Sequence, residues 1–185
     1  MRQIEQIRPG TLAAAVRSHL ETGSEFRYHL ASFLDGFYID PSFDGRQARL
    51  IDEPPLTGNE RLDALIGAIA EHLCRRWRLG PAPGWVEDPA RFLKRPWFLG
   101  PEGMKPFYLA ESPSAYRRRF IFTELEPLRR ARMPRDAMWW HAEGIRTGMT
   151  PLPEEVVTTE TAPELEYDTP HKEALRSTDL TAARA

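Results

Sequence analysis

Prolines cut this chain into windows, and the window between Pro55 and Pro81 restricts its fold most. Proline has no N–H and clashes with the preceding turn, so a long helix needs a stretch free of it. Inside the window Leu62, Leu65, Ile66, Ile69, Leu73 and Trp77 recur every three or four residues, which puts them on one side of a helix. Thr57-Gly58-Asn59-Glu60 has the spacing of a capping box, and Gly80-Pro81 supplies the stop. The pattern predicts a helix over residues 57–79, the longest in the chain, with Leu65, Ile69 and Leu73 fully buried. Burying four such side chains contributes roughly 6–12 kcal/mol before the entropy of ordering is subtracted.

The flanking windows are shorter. Upstream, Thr11 is placed to cap a helix presenting Leu12, Val16 and Leu20 and ending at Gly23. Ser24 is placed to cap a second, with Phe26, Leu30, Phe33, Leu34 and Phe37 at helical period and Asp40-Pro41 as its end. A short helix fits residues 46–51. Downstream of Pro81 the chain becomes aromatic and broken by proline, and Asp88-Pro89 opens a short helix through Leu93. No alternating run is long enough to argue a sheet. The expected fold is mainly α: a compact multi-helix domain over residues 1–149 with a proline-punctuated aromatic middle.

Residues 150–185 have a different character. They hold three basic residues against eight acidic ones, a net −5, while residues 1–149 hold 22 against 19, a net +3. Isolated anchors such as Val156, Leu165 and Tyr167 share no period, so this part reads as a flexible acidic tail. The single Cys74 excludes an intrachain disulfide framework and fits a reducing compartment. With no long apolar run and no secretory h-region at the start, a cytoplasmic protein is expected.

Catalytic signatures are sparse. The five histidines are not paired at helical spacing, and His141-Ala142-Glu143 lacks the P-C-x-x-C that would complete a deaminase zinc site. Cys74 lies at the margin of the long apolar face, as a packing thiol would. No nucleophile elbow, Walker loop or dinucleotide fingerprint occurs. The reading is a non-enzyme with neither metal nor cofactor.

What remains is arginine. Residues 117–135 carry seven, opposed only by Glu124 and Glu126. In ESPSAYRRRF (111–120), Ser112 and Pro113 suit a helix start. At about 100° per residue, three successive arginines spread over about 200° and do not converge on one phosphate. On that helix Tyr116 and Phe120 share the buried face, Arg118 points to water, and the stems of Arg117 and Arg119 cover the two rings. Ile121 and Phe122 would then project to the wrong sides, so the chain is expected to leave the helix and cross the core.

PARFLKRPWF (89–98) followed by ESPSAYRRRFIF (111–122) and a short arginine-rich helix resembles a family of small bacterial helical proteins. Its members carry W-x-F-L-x-x-P-W-F and then E-S-P-x-A-F-R-R-R-x-I-F, and residues 50–73 are also similar to their middle region. The resemblance implies an antitoxin, because such proteins are commonly encoded beside a nucleotidyltransferase-fold toxin. Some members begin with a helix-turn-helix, which the first forty residues here do not show. The matching positions are Trp97, Phe98, Glu111, Ser112, Pro113, Arg117, Arg118 and Arg119.

The expected function is therefore to bind and neutralise a cognate protein toxin by occluding its active site. The candidate partner-binding residues are Arg117, Arg118, Arg119, Arg129, Arg130, Trp97, Glu111 and Tyr167. Basic side chains would meet the toxin's metal-binding acids, and the tail's carboxylates its phosphate contacts. The alternative is a nucleic-acid-binding transcriptional regulator that uses the region from Arg117 to Arg135 on phosphates.

Overall fold

A computed structural model describes residues 9–148. Seven α-helices run through them: α1 (Leu12–Thr22), α2 (Phe26–Ile39), α3 (Phe43–Ile51), α4 (Glu60–Arg76), α5 (Lys105–Glu111), α6 (Ser114–Arg117) and α7 (Ala137–Thr147). Three short 3₁₀ turns, Gly84–Glu87, Pro89–Arg91 and Glu102–Met104, join them. The fold is mainly α, as the sequence pattern requires. The acidic segment from residue 150 onward, including Tyr167, lies outside the described residues.

The first two helices follow their caps. Thr11 accepts a hydrogen bond from Ala14 N, and α1 ends at Gly23 in the left-handed region (φ 66°). Leu12 and Val16 are buried, but Leu20 is exposed. Ser24 does not cap α2: Glu25 occupies that position without a side-chain bond, and the Ser24 hydroxyl lies 2.6 Å from His29 Nε2 instead. Phe26, Phe33, Leu34 and Phe37 are buried as their period predicts. Helix α3 begins three residues earlier than expected because Ser42 accepts from Gly45 N.

Helix α4 is the longest and the centre of the core, but it starts differently. Asn59 is its N-cap, accepting from Arg61 N and Leu62 N. Thr57 forms no capping box with Glu60; its amide and hydroxyl both donate to Asp63 Oδ1, at 2.8 and 2.9 Å. From Asp63 to Cys74 every residue is buried except Leu65. Ile69 and Leu73 are thus in the core, whereas Leu65 is only partly covered, contrary to the striped pattern. The helix is enclosed on nearly all sides, by α6 and by the turns at 84–87 and 89–91 among others. Its polar residues Asp63, Glu71 and His72 are therefore inside.

Gly67 has a specific place in this enclosure. A Cβ there would lie 3.0 Å from Arg119 Nε and 3.2 Å from Arg91 Cβ. The missing side chain is what lets two arginines cross the helix surface.

Beyond α4, Asp88 caps the 89–91 turn by accepting from Ala90 N, and the turn stops short of Leu93. Trp97–Phe98 (β1) pairs in parallel with Ile121–Phe122 (β2), with Phe98 stacked on Phe122 at 5.0 Å. Ser112 does not cap α6 either. Its hydroxyl accepts from Thr123 N at 2.7 Å and lies against Tyr108 O at the end of α5. No helix spans the arginine-rich stretch 123–136. The next helix is α7, capped by Asp136 through Trp139 N. Among the described residues no helix is long and apolar enough to cross a membrane.

Candidate interaction surface

The three consecutive arginines take three different jobs. Helix α6 lasts only one turn, and the chain then reverses through Phe120 at φ 57°. That turn exposes Phe120, so it does not share the buried face with Tyr116, which is fully inside. Arg119, just before that step, points inward. Arg119 is 0% exposed and reaches three elements: Glu71 of α4, the carbonyl of Ala115 at 2.8 Å and that of Val86 at 2.7 Å. Its guanidinium lies 4.7 Å from the Phe92 ring centre. A side chain so enclosed is not available to a partner, and the expectation that Arg119 binds one is corrected accordingly.

Arg118, expected to point freely into water, is instead a clamp. It donates to both oxygens of Glu87, at 3.0 and 2.5 Å, and to Glu71 Oε1 at 3.1 Å. Arg117 is exposed as well, and it donates to the carbonyls of Ala110 and Ser112, at 2.9 and 3.1 Å, closing the C-terminal end of α5.

Glu71 gathers the group by pairing with Arg75, Arg118 and Arg119. Burial alone would push its carboxyl up, but hydrogen bonds and positive charge from Arg119 and Arg118 outweigh that and hold it below the ordinary range. A second knot ties Arg76 to Glu126 at 2.6 Å and to both oxygens of Asp136 at 2.6 Å. Burial likewise opposes the ionisation of Asp136, and Arg76 with the Trp139 amide overcomes it. His72 Nε2 faces Glu126 at 3.6 Å, beyond hydrogen-bond reach.

The remaining candidates are spread out. Arg129 pairs with Glu124 and, at 2.7 Å, with Glu143. Arg130 forms a two-pronged bond to Asp35 on α2, at 3.0 and 2.8 Å. Trp97 is half-buried on β1, with Arg61 5.5 Å from its ring centre. Glu111 is half-buried at the end of α5. These residues do not form one patch: Arg118 and Arg119 face α4, whereas Arg129 and Glu111 border a cleft beside α7.

Sequence reading passed over Arg91, which is 0% exposed and donates to the carbonyl of Pro54 while packing on Trp85 at 4.9 Å. Burial lowers its pKa, with Asp63, Glu53 and Asp88 pulling the other way. Its signal was proximity to Asp88-Pro89 in a stretch dense with aromatics. Burial pushes the Cys74 thiol up to about 11, so it is neutral at pH 7 and packs as a small apolar group. Glu143 of the H-x-E is held by Arg129 and Arg146. Among the described residues no group of three or more His, Cys, Asp and Glu is placed to hold a metal ion.

No protein-family model, curated protein or solved structure matches this chain. Function must be argued from the surface itself. Ion pairs consume most arginines of the 117–130 stretch, while α5 and the turn before it turn large apolar groups outward: Met104, Phe107 and Leu109 are all exposed.

Proposed function

We propose that this chain is a non-enzymatic protein-binding factor of the antitoxin kind, which neutralises a nucleotidyltransferase-fold toxin by covering its active site. One observation carries the protein-binding part: Met104 and Phe107, from a seven-residue helix and its lead-in turn, line one cleft and are both exposed, Phe107 by 52%. Large apolar groups clustered on a surface favour a protein partner over a phosphate backbone. The toxin as partner rests on the resemblance of residues 89–98 and 111–122 to the antitoxin family.

The nucleic-acid alternative is weaker because it needs guanidinium groups free to displace counterions. Arg118, Arg119, Arg129 and Arg130 each hold a carboxylate within the fold. A phosphate would have to displace those acids.

The test pairs the chain with the product of the adjacent gene in one cell. The proposal expects that product to arrest growth alone, the arrest to be relieved by this chain, and the two to co-elute. Growth arrest without relief, or separate elution, overturns it. Anisotropy with a random DNA duplex at low and raised salt reads the alternative: tight binding that fades steeply with salt would favour it.

A further inference from the structure

Between α5 and α7 runs a cleft of about 260 Å³, with Met104 and Phe107 on one side, Ile145 on the other and Leu125 between. We infer that this cleft is the docking site for the partner protein, and that the docking segment is apolar with carboxylates at one flank. This rests on the protein-binding reading above and names the surface and the chemistry it selects.

A cleft of this size accommodates one or two apolar anchors of the kind that dominate protein interfaces. Its apolar walls are open to water on both sides, since Met104 and Ile145 are each 40% exposed. Covering them is the main favourable term for a docking segment.

Charge selects which apolar segment. The cleft shares Glu124, Arg129 and Arg146 with a wider concavity of about 540 Å³, which adds Arg130, Arg135, Trp139 and Glu143. Arg129, Arg130 and Arg146 are paired there with Glu124, Asp35 and Glu143, which leaves Arg135. Arg135 is exposed and makes no ion pair among the described residues; it packs on Trp139 at 5.0 Å. One guanidinium without an ion pair thus stands at one end of an apolar groove. A carboxylate on the incoming segment finds a complementary site there, and a lysine or arginine is repelled.

The experiment selects a random-peptide phage library on the immobilised full-length chain, then measures the enriched sequences as synthetic peptides. The expected peptides carry at least two large apolar residues next to Asp or Glu. Their affinity should fall at least tenfold for Phe107→Asp and for Ile145→Asp, and should weaken for Arg135→Glu. It should hold for Ile39→Asp, an exposed apolar position on α2. Circular dichroism confirms that each variant is folded, and the two cleft variants on different helices guard against a local defect in either. The inference is overturned if no peptide is enriched, if basic peptides win, or if neither cleft variant weakens binding. Sedimentation showing a dimer dispersed by Phe107→Asp also overturns it, since a second copy would then fill the cleft. A Phe107→Asp chain that still neutralises the toxin removes the cleft and keeps the antitoxin reading. Peptides that bind as expected to a chain that neutralises nothing do the reverse.

Discussion

Arg117, Arg118 and Arg119 are chemically identical neighbours, and the fold assigns them unequal weight. Arg119 is buried against Glu71 and two carbonyls, so removing it strips a buried acid of its closest partner. Breaking such a pair costs about 3–5 kcal/mol, because the remaining charge is left in a poorly solvated place. Arg119→Met is expected near the lower end of that range, since Arg118 and Arg75 still reach Glu71. Arg118 is half-exposed, and loss of its clamp should cost about 1 kcal/mol as alanine. As glutamate it would set a third carboxylate against Glu71 and Glu87, and the cost should rise clearly above the alanine value. Arg117→Ala should change stability least. Urea unfolding of the variants gives the ranking; an Arg119→Met protein as stable as wild type would mean that the buried pair is dispensable.

Helix α4 shows how much was legible at the level of elements. Its existence, its span to within three residues at each end and the burial of Ile69 and Leu73 follow from the apolar period alone. Ile69→Ala should therefore cost about 2–5 kcal/mol in the same urea assay, and a loss under ~1 kcal/mol would remove α4 from the centre of the core. The period did not show that α4 is enclosed all round. Nor does it show why Glu71 is tolerated inside, since its buried partner Arg119 is 48 positions away. The same distance hid the roles of Arg118 and Arg119, since a helical wheel assumes that the helix continues and α6 stops after one turn. Helix α7 was overlooked, although Asp136 before it and Gly148 after it are ordinary cap residues. The cleft between α5 and α7 needed both helices and so was not visible. Gly67 offers a sharper test of the enclosure. Alanine gains up to about 1 kcal/mol of helix propensity, whereas a Cβ 3.0 Å from Arg119 Nε overpacks a site held on both sides, at about 1–3 kcal/mol. Gly67→Ala should be net destabilising; a stabilised variant would show that the two arginines yield easily.

At the scale of the whole molecule, the ion pairs bind distant parts of the chain: Glu71 to Arg119 just past α6, Asp35 to Arg130, and Arg76 to Glu126 and Asp136. That arrangement makes stability depend on acid. Glu71 is buried and Asp136 half-buried, and both are held below their ordinary values by arginine. A carboxylate whose pKa is depressed in the folded state contributes stability that is fully present above its unfolded value, about 4. The contribution is lost as pH falls through the lower, folded value, because the unfolded chain takes up the proton first. The urea midpoint should therefore stay level in this respect from neutral pH to about 5 and drop steeply below about 4. Glu71→Gln separates this cause from general acid repulsion. The variant starts less stable at neutral pH, since Arg119 keeps its place without a charged partner, but it has one depressed carboxylate fewer to protonate. Its midpoint should fall less than the wild type's between pH 5 and pH 3, so that the two curves converge. Parallel curves would mean that Glu71 is not ionised against Arg119 in the native state, and that something other than these ion pairs holds α4 to α6.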